Sequence, residues 1–449
     1  MTANGRPRSA PGDRELRLWK VGRALFVTFV VAVLVAGGVF YGLVYLLDFQ
    51  EIDRTTKLDA KTLFDLVKLS FGVVAGAGAL VALVVAYRRQ RVDEAGAHRE
   101  ATRLHTERFS QAVDKLGSDS QAVRLGGVHA LAGLADDAPD DSLRQTCIDV
   151  LCAYLRLPFA PDPGDLPDPL PDGSSPSEKR RDAHQDKKDR YRAFREVRHT
   201  ILRLIGDHYR IPQGTHRSWQ GCSLDLTGVT IDGDMDFTGA VFSGGSVSFR
   251  GATFSRRTSF RGATFSRGTV SFGGATFSRG DVIFRGATFS GGTVTFIGAT
   301  FSGGTVTFGG ATFSDGIVTF GGARFSGSEV TFDGAAFSGS SVHFGMATFS
   351  GGTVSLIGAT ISGGTVTFGG ATFSGGTVTF RSATFSDNTM SFGGAFSGSD
   401  VSFDSATFSG SSMSFEETTG PVPVGLLAAV GTPVPSEICL RTDWLSSHP

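Results

Sequence analysis

Little in this chain points to catalysis or redox chemistry. Its 449 residues hold four cysteines, Cys147, Cys152, Cys222 and Cys439, too few for a disulfide framework and without metal-ligand spacing. They read as small buried hydrophobes in a reducing compartment. Neither sign of charge dominates, with Lys+Arg 42 against Asp+Glu 43, so global electrostatics gives no reason to expect nucleic acid. The nine histidines are scattered, and His199 and His208 do not stand at a metal-ligand spacing. Serine is abundant, but no Gly-x-Ser-x-Gly elbow occurs, and no glycine pair opens a helix after a strand as a phosphate cradle would. The expectation is a protein that is not an enzyme, with no catalytic residue, no metal and no cofactor. Tryptophan (3) and tyrosine (6) are scarce beside 38 phenylalanines and 61 glycines, a combination that suggests tight turns around a buried aromatic stack.

What the chain does have is strongly segregated. Ala24–Leu47 and Leu69–Tyr87 contain no charged side chain. The first is long enough to cross a hydrocarbon core of ~30 Å, and the second can begin earlier if Lys68 snorkels. A cleaved signal peptide is excluded by the length of the first run and by the presence of a second. The pattern predicts a basic tail (1–22) and a transmembrane helical hairpin (23–90), so that a lipid bilayer is the first expected partner. Arg6, Arg8, Arg14, Arg17, Lys20 and Arg23 precede the first span, and Arg88, Arg89 and Arg91 follow the second. The loop's Arg54, Lys57 and Lys61 are offset by Asp48, Glu51, Asp53 and Asp59. This bias predicts a multi-pass cell-membrane protein with both termini cytoplasmic.

Residues 91–157 change to helical period and read as a small module. Leu104, Phe109, Val113 and Leu116 fit one face, Gly117 is a stop, and Ser118 or Ser120 can cap the next helix. A third helix starts near Asp141 and carries Cys147 and Cys152. A Pro/Asp/Gly linker (158–177) follows, then a charged helix (178–215) whose Phe194, Val197, Ile201, Leu202 and Leu204 make an apolar face. Its basic run, Lys179 to Lys188, reads as a solvated face.

The rest is a repeat array (216–415) followed by an apolar, Pro-broken cap (416–449), with Leu426, Leu427, Val430 and Trp444 expected to cover the last coil. The unit is GATFSGGTVTFG, twelve residues long, and its phenylalanines alternate at spacings of five and seven. A short fixed period is a solenoid signature. In Ala-Thr-Phe and Val-Thr-Phe, strand alternation turns the first and third residues inward and the Thr outward. The inward ladder is therefore Phe265, Phe272, Phe277, Phe284, Phe289, Phe296, Phe301, Phe308, Phe313 and Phe320, with glycine taking the corners. Two Phe, one Val and one Ala per unit would crowd a two-faced coil of twelve. Four faces and 24 residues per coil are expected instead.

The stretch Cys222–Phe254, CSLDLTGVTIDGDMDFTGAVFSGGSVSFRGATF, resembles the pentapeptide-repeat family, which sets a small residue two positions before a Leu or Phe, as in Ala240/Phe242 and Ala252/Phe254. The resemblance implies a right-handed, quadrilateral β-helix with four five-residue faces. Here every second face after Phe242 is lengthened to seven residues, occasionally six. The order of two hydrophobic spans, helices and array also resembles actinobacterial membrane proteins of that family.

Function reads as a membrane-anchored interaction scaffold with a cytoplasmic solenoid and an unidentified protein partner. The family's topoisomerase-protecting DNA mimics need an acidic surface, whereas 240–415 holds nine Arg against seven Asp/Glu, so nucleic acid and its mimicry are disfavoured. Outward Thr pairs such as Thr293/Thr295 resemble ice-binding solenoids, a third reading that a cytoplasmic site would make useless. Seven arginines, Arg250, Arg256, Arg257, Arg261, Arg267, Arg279 and Arg285, fall between 250 and 285, early in the array, and form a candidate contact patch for anionic lipid or a partner.

Overall fold

The computed structural model describes residues 60–446 except 169–170 and 172–174, together with scattered positions between 26 and 45. Two compact units are distinguished, Met1–Ala101 and Thr102–Pro449. Helix α1, Ala60–Leu116, runs unbroken. The first expected span, 24–47, lies outside the described residues apart from those scattered positions. Within the second, the side chains are described continuously only from Ala75, thirteen residues before Arg88 and Arg89. Among the described residues no helix is long and apolar enough to cross a membrane, and the expected two-span hairpin is no part of the fold described here.

Helices α2 (Gln121–Asp136) and α3 (Asp141–Arg156) follow, with α3 capped by Asp140, whose carboxylate accepts the Leu143 N–H at 2.9 Å. Gly127 lets α2 cross the end of α1 closely, since a Cβ there would stand 2.7 Å from the Leu116 nitrogen. Helix α4 is Glu178–Arg210. The linker before it is pinned along it: Lys188 pairs with Asp165 at 2.8 Å, Arg181 with Asp168 at 3.7 Å, and Arg198 lies over the Phe159 ring. Two cations of the basic run thus face the linker.

From Leu224 the chain coils. One turn shows the plan, with strands Val282–Ile283, Thr288–Ser290, Thr293–Thr295 and Thr300–Ser302 on faces one to four. Each pairs in parallel with its counterpart one coil away; Phe289 aligns with Phe265 and Phe313. Coils take 23 or 24 residues: Thr253 pairs with Thr276, and Thr276 with Thr300. The ladder on face three has ten strands, the last supplied by the tail, which gives about nine turns.

The rings explain why the coil is 24 and not twelve. Phe284 lies parallel on Phe260 and Phe308, at 4.9 and 4.8 Å between centroids, but meets Phe296 edge-on at 5.7 Å and 87°. Rings 4.8 Å apart and parallel must be offset, which is the favoured stacked geometry, and edge-to-face is the other. Strand spacing sets the first contact and the coil's width the second. Faces one and three bury Val and Phe (Val306, Phe308), faces two and four Ala and Phe (Ala311, Phe313), all 0–1% exposed.

Corners alternate. After faces one and three the turn is tight: Ala311 N–H donates to the Phe308 carbonyl at 2.9 Å, and Gly310 sits at φ 64°, the residue that a type II turn needs. After faces two and four the corner is longer, as in Ser302-Gly303-Gly304. In later coils the corner between faces four and one straightens into continuous strands, Arg324–Thr331, Thr348–Ser355, Thr372–Thr379 and Ala395–Ser402. In the tail, Trp444 packs on Phe415 at 6.0 Å, and Leu426, Val430 and Trp444 are buried, with Leu427 packed partly buried against the same core.

Candidate functional site

The ten phenylalanines from Phe265 to Phe320 are all within the core, at most 2% exposed, so none is available to a ligand. Thr293 aligns on Thr269 and Thr295 on Ser271, but the next strand of that ladder carries Ile317, and the one after has Ser341 and His343. The outward Thr lattice is thus short.

The seven arginines are divided among all four corners, not gathered into one patch. Arg250 sits on the tight corner after face three, Arg261 and Arg285 on the tight corner after face one, and Arg267, at φ 54°, on the long corner after face two. Arg256, Arg257 and Arg279 share the long corner after face four. There the Gly280 backbone lies directly against theirs, since a Cβ on Gly280 would be 2.7 Å from the Arg257 nitrogen.

These three arginines line an open cleft of about 930 Å³, walled on its other side by the linker and α4 through Phe159, Asp162 and Tyr191, with Asp232 and Asp234 on its floor. Phe159 and Tyr191 are 5.5 Å apart. Asp232 is held by several groups: the Tyr191 hydroxyl donates to it at 2.5 Å, and Arg195 and His199 lie 3.5 Å away. Burial opposes the charge of Asp232, but these neighbours together hold its carboxyl below the usual value. Burial, with the bond to Asp232, pushes the Tyr191 hydroxyl up to about 12. Asp162 accepts the Gly164 N–H. Arg256 Nε donates to the Asp232 carbonyl at 3.1 Å. Among the described residues no ion pair joins Arg256, Arg257 or Arg279 to any carboxylate.

Sequence reasoning assigned the helices no task toward the array, yet they close its first coil. The Gln145 side chain acts as a piece of strand, donating to the Ser223 carbonyl at 2.8 Å and accepting its N–H at 2.9 Å. Arg198 donates to the Thr230 carbonyl, and Arg210 to those of Asp236 and Thr238. Edge carbonyls that would stand unpaired are thereby satisfied. Gly206 permits the approach, with a virtual Cβ 2.9 Å from the Asp236 oxygen. Behind this surface Asp136, 7% exposed, accepts from Trp219 Nε1 at 3.0 Å and Arg217 Nε at 3.1 Å and pairs with His208 at 3.1 Å. Burial again works against the charge, and the hydrogen bonds from His208, Arg217 and Trp219 outweigh it, so the carboxyl is held low.

Burial pushes the thiols of Cys147 and Cys152 up to about 11 and about 12, far from the thiolate a nucleophile needs. Among the described residues no group of three His, Cys, Asp or Glu could hold a metal. The cleft can recognise charge, but it offers no activated nucleophile.

A family of pentapeptide repeats, with nine copies, matches residues 218–264, 237–281, 249–295 and 279–324. No curated protein and no solved structure matches the chain. The matched residues are those that form the first coils of parallel strands, with small residues and Phe turned inward as the repeat demands. Residues 218–324 of this chain are thus pentapeptide repeats.

Proposed function

We propose that the protein is a non-catalytic scaffold, held at the cytoplasmic face of a membrane by its hydrophobic N-terminal helices and presenting the solenoid to a protein partner. The observation that carries the reading is the pairing of two unlike surfaces in one chain. In the first unit, the uncharged stretch of α1 leaves Leu80, Leu83 and Val84 between 56% and 66% exposed, which is unfavourable in water and natural against lipid. In the second, Phe, Val and Ala are consumed by rungs and glycine by corners, so that what remains outward is a regular polar wall suited to contact. DNA mimicry is disfavoured by the array's near-balanced charge.

The test is topological. The full chain should stay in the membrane fraction through alkaline carbonate washing. A reporter active only outside the cell should signal from the 48–59 loop and stay silent at the C-terminus. Release by carbonate would remove the anchor from this reading, and signal from the C-terminal fusion would remove the cytoplasmic scaffold.

A further inference from the structure

The corner between faces four and one recurs in every coil, so the array supplies its own controls. In later coils it reads Ser-Gly-Gly or Ser-Gly-Ser: 302–304, 326–328, 350–352 and 374–376. Only beside the cleft does it carry Ser255-Arg256-Arg257 and Ser278-Arg279-Gly280. Folding the corner therefore does not require arginine. Because Gly280 lies against Arg256 and Arg257, Arg279 and Arg256 stand in adjacent coils, about 4.8 Å apart at their backbones. Like charges at that spacing repel, and no described ion pair relieves them. Of the nearby carboxylates, Asp232 is engaged by Tyr191, Arg195 and His199, Asp162 by Gly164, and Asp236, whose charge reaches Arg257, by Arg210. Asp234 remains on the floor.

We propose that this cleft binds a phosphomonoester, its dianion on Arg256, Arg257 and Arg279 and the apolar part of the molecule against Phe159 and Tyr191. Three guanidinium forks suit a tetrahedral dianion better than a single carboxylate. The cleft's volume, about 930 Å³, is that of a small-molecule site. A nucleic-acid strand is opposed by the same corner in later coils, where Ser-Gly-Gly or Ser-Gly-Ser offers no basic track. The paired rings favour a ligand with a flat or apolar portion over inorganic phosphate.

Titration calorimetry on the full chain in neutral detergent tests it, with inorganic phosphate, adenosine monophosphate and dihexanoyl phosphatidic acid as probes. At least one ester should bind, and more tightly than phosphate. The double variant R257Q/R279Q should weaken it by more than about tenfold, since two of the three sources of charged hydrogen bonds to the dianion are lost. Its thermal unfolding should be no lower than the parent's, both positions being exposed and their mutual repulsion removed, and Arg279→Lys, which keeps the charge, should retain much of the affinity. Tighter binding of the phosphatidic acid assigns the phosphate to a lipid headgroup, and tighter binding of the nucleotide to a soluble ligand. No binding of any probe at millimolar concentration overturns the proposal, as does binding that R257Q/R279Q leaves unchanged.

Discussion

The helical module and the repeat array meet at the first coil, yet opposite means hold them together. The array repeats one apolar contact: on face three, eight phenylalanines from Phe249 to Phe415 stack without a break, 4.7–5.2 Å apart. The module relies on polar groups that occur once, Asp136 with its three donors and Asp232 with its own. Stability in a stack is nearly a sum over neighbours, so damage stays local. A buried polar hub is cooperative, and losing one member strands the others.

The largest effect should come from the stack. Phe308→Ala removes a fully buried ring that touches Phe284, Phe332, Phe320, Phe313, Phe289 and Phe296, at an expected cost of ~3–5 kcal/mol. Amide hydrogen exchange should show the loss confined to the coils around residue 308, with α2–α4 still protected. Thr307→Ala, one residue away and outward, should change stability by no more than about 0.5 kcal/mol. Equal effects would break the inward/outward distinction.

Asp136→Asn sharpens the other side. It leaves His208, Arg217 and Trp219 facing a neutral amide that can accept fewer of their bonds, at a cost of ~2–4 kcal/mol. Exchange should rise throughout α2–α4 and in the strand at Leu224, not in one turn. Acid should act in the same direction. Asp136 and Asp232 are held below the ordinary carboxyl value of 3.8, so their contribution is present above that value and lost as pH falls through the lower folded ones. The module should therefore loosen in acid before the rungs, which do not titrate. Simultaneous loss of both by circular dichroism below pH 4 would erase the contrast.

The smallest effect should be a gain. Met346 occupies the tight-corner position that is usually glycine, at φ 57° and 77% exposed. Met346→Gly should relieve left-handed strain of ~1 kcal/mol while removing little burial, which thermal unfolding would register as a small rise.

The 24-residue coil was legible because phenylalanine marks each face and its bulk rules out the thinner alternative. Helix α4 was legible from its apolar stripe and from the proline-rich segment before it. The closure of the first coil was not. Gln145, Arg198 and Gly206 act through single contacts with carbonyls far along the chain, and a contact made once leaves no period. The arginines were visible as a sequence cluster, and that misleads in a solenoid, where neighbours in sequence turn to different corners. The informative interval is the coil length. Arg256 and Arg279 are 23 apart, Arg261 and Arg285 are 24 apart, and each pair shares a corner. The reading of the two uncharged N-terminal stretches as membrane spans stands on the sequence, although α1 makes the second of them helical.

The tail strand Ile438–Cys439, paired in parallel with Met413–Ser414, has a consequence for assembly. A stack of identical coils has no internal reason to stop, and a bare last coil is a growing end onto which another copy can add. Pairing of its strands would then run from molecule to molecule as a filament. Here Ile438–Cys439 fills that ladder, Val424 bridges Ser402, and Leu426–Val430 lies over the strand at Thr407. The tail is a chain terminator in the polymer sense: it fixes the number of rungs at what one polypeptide encodes.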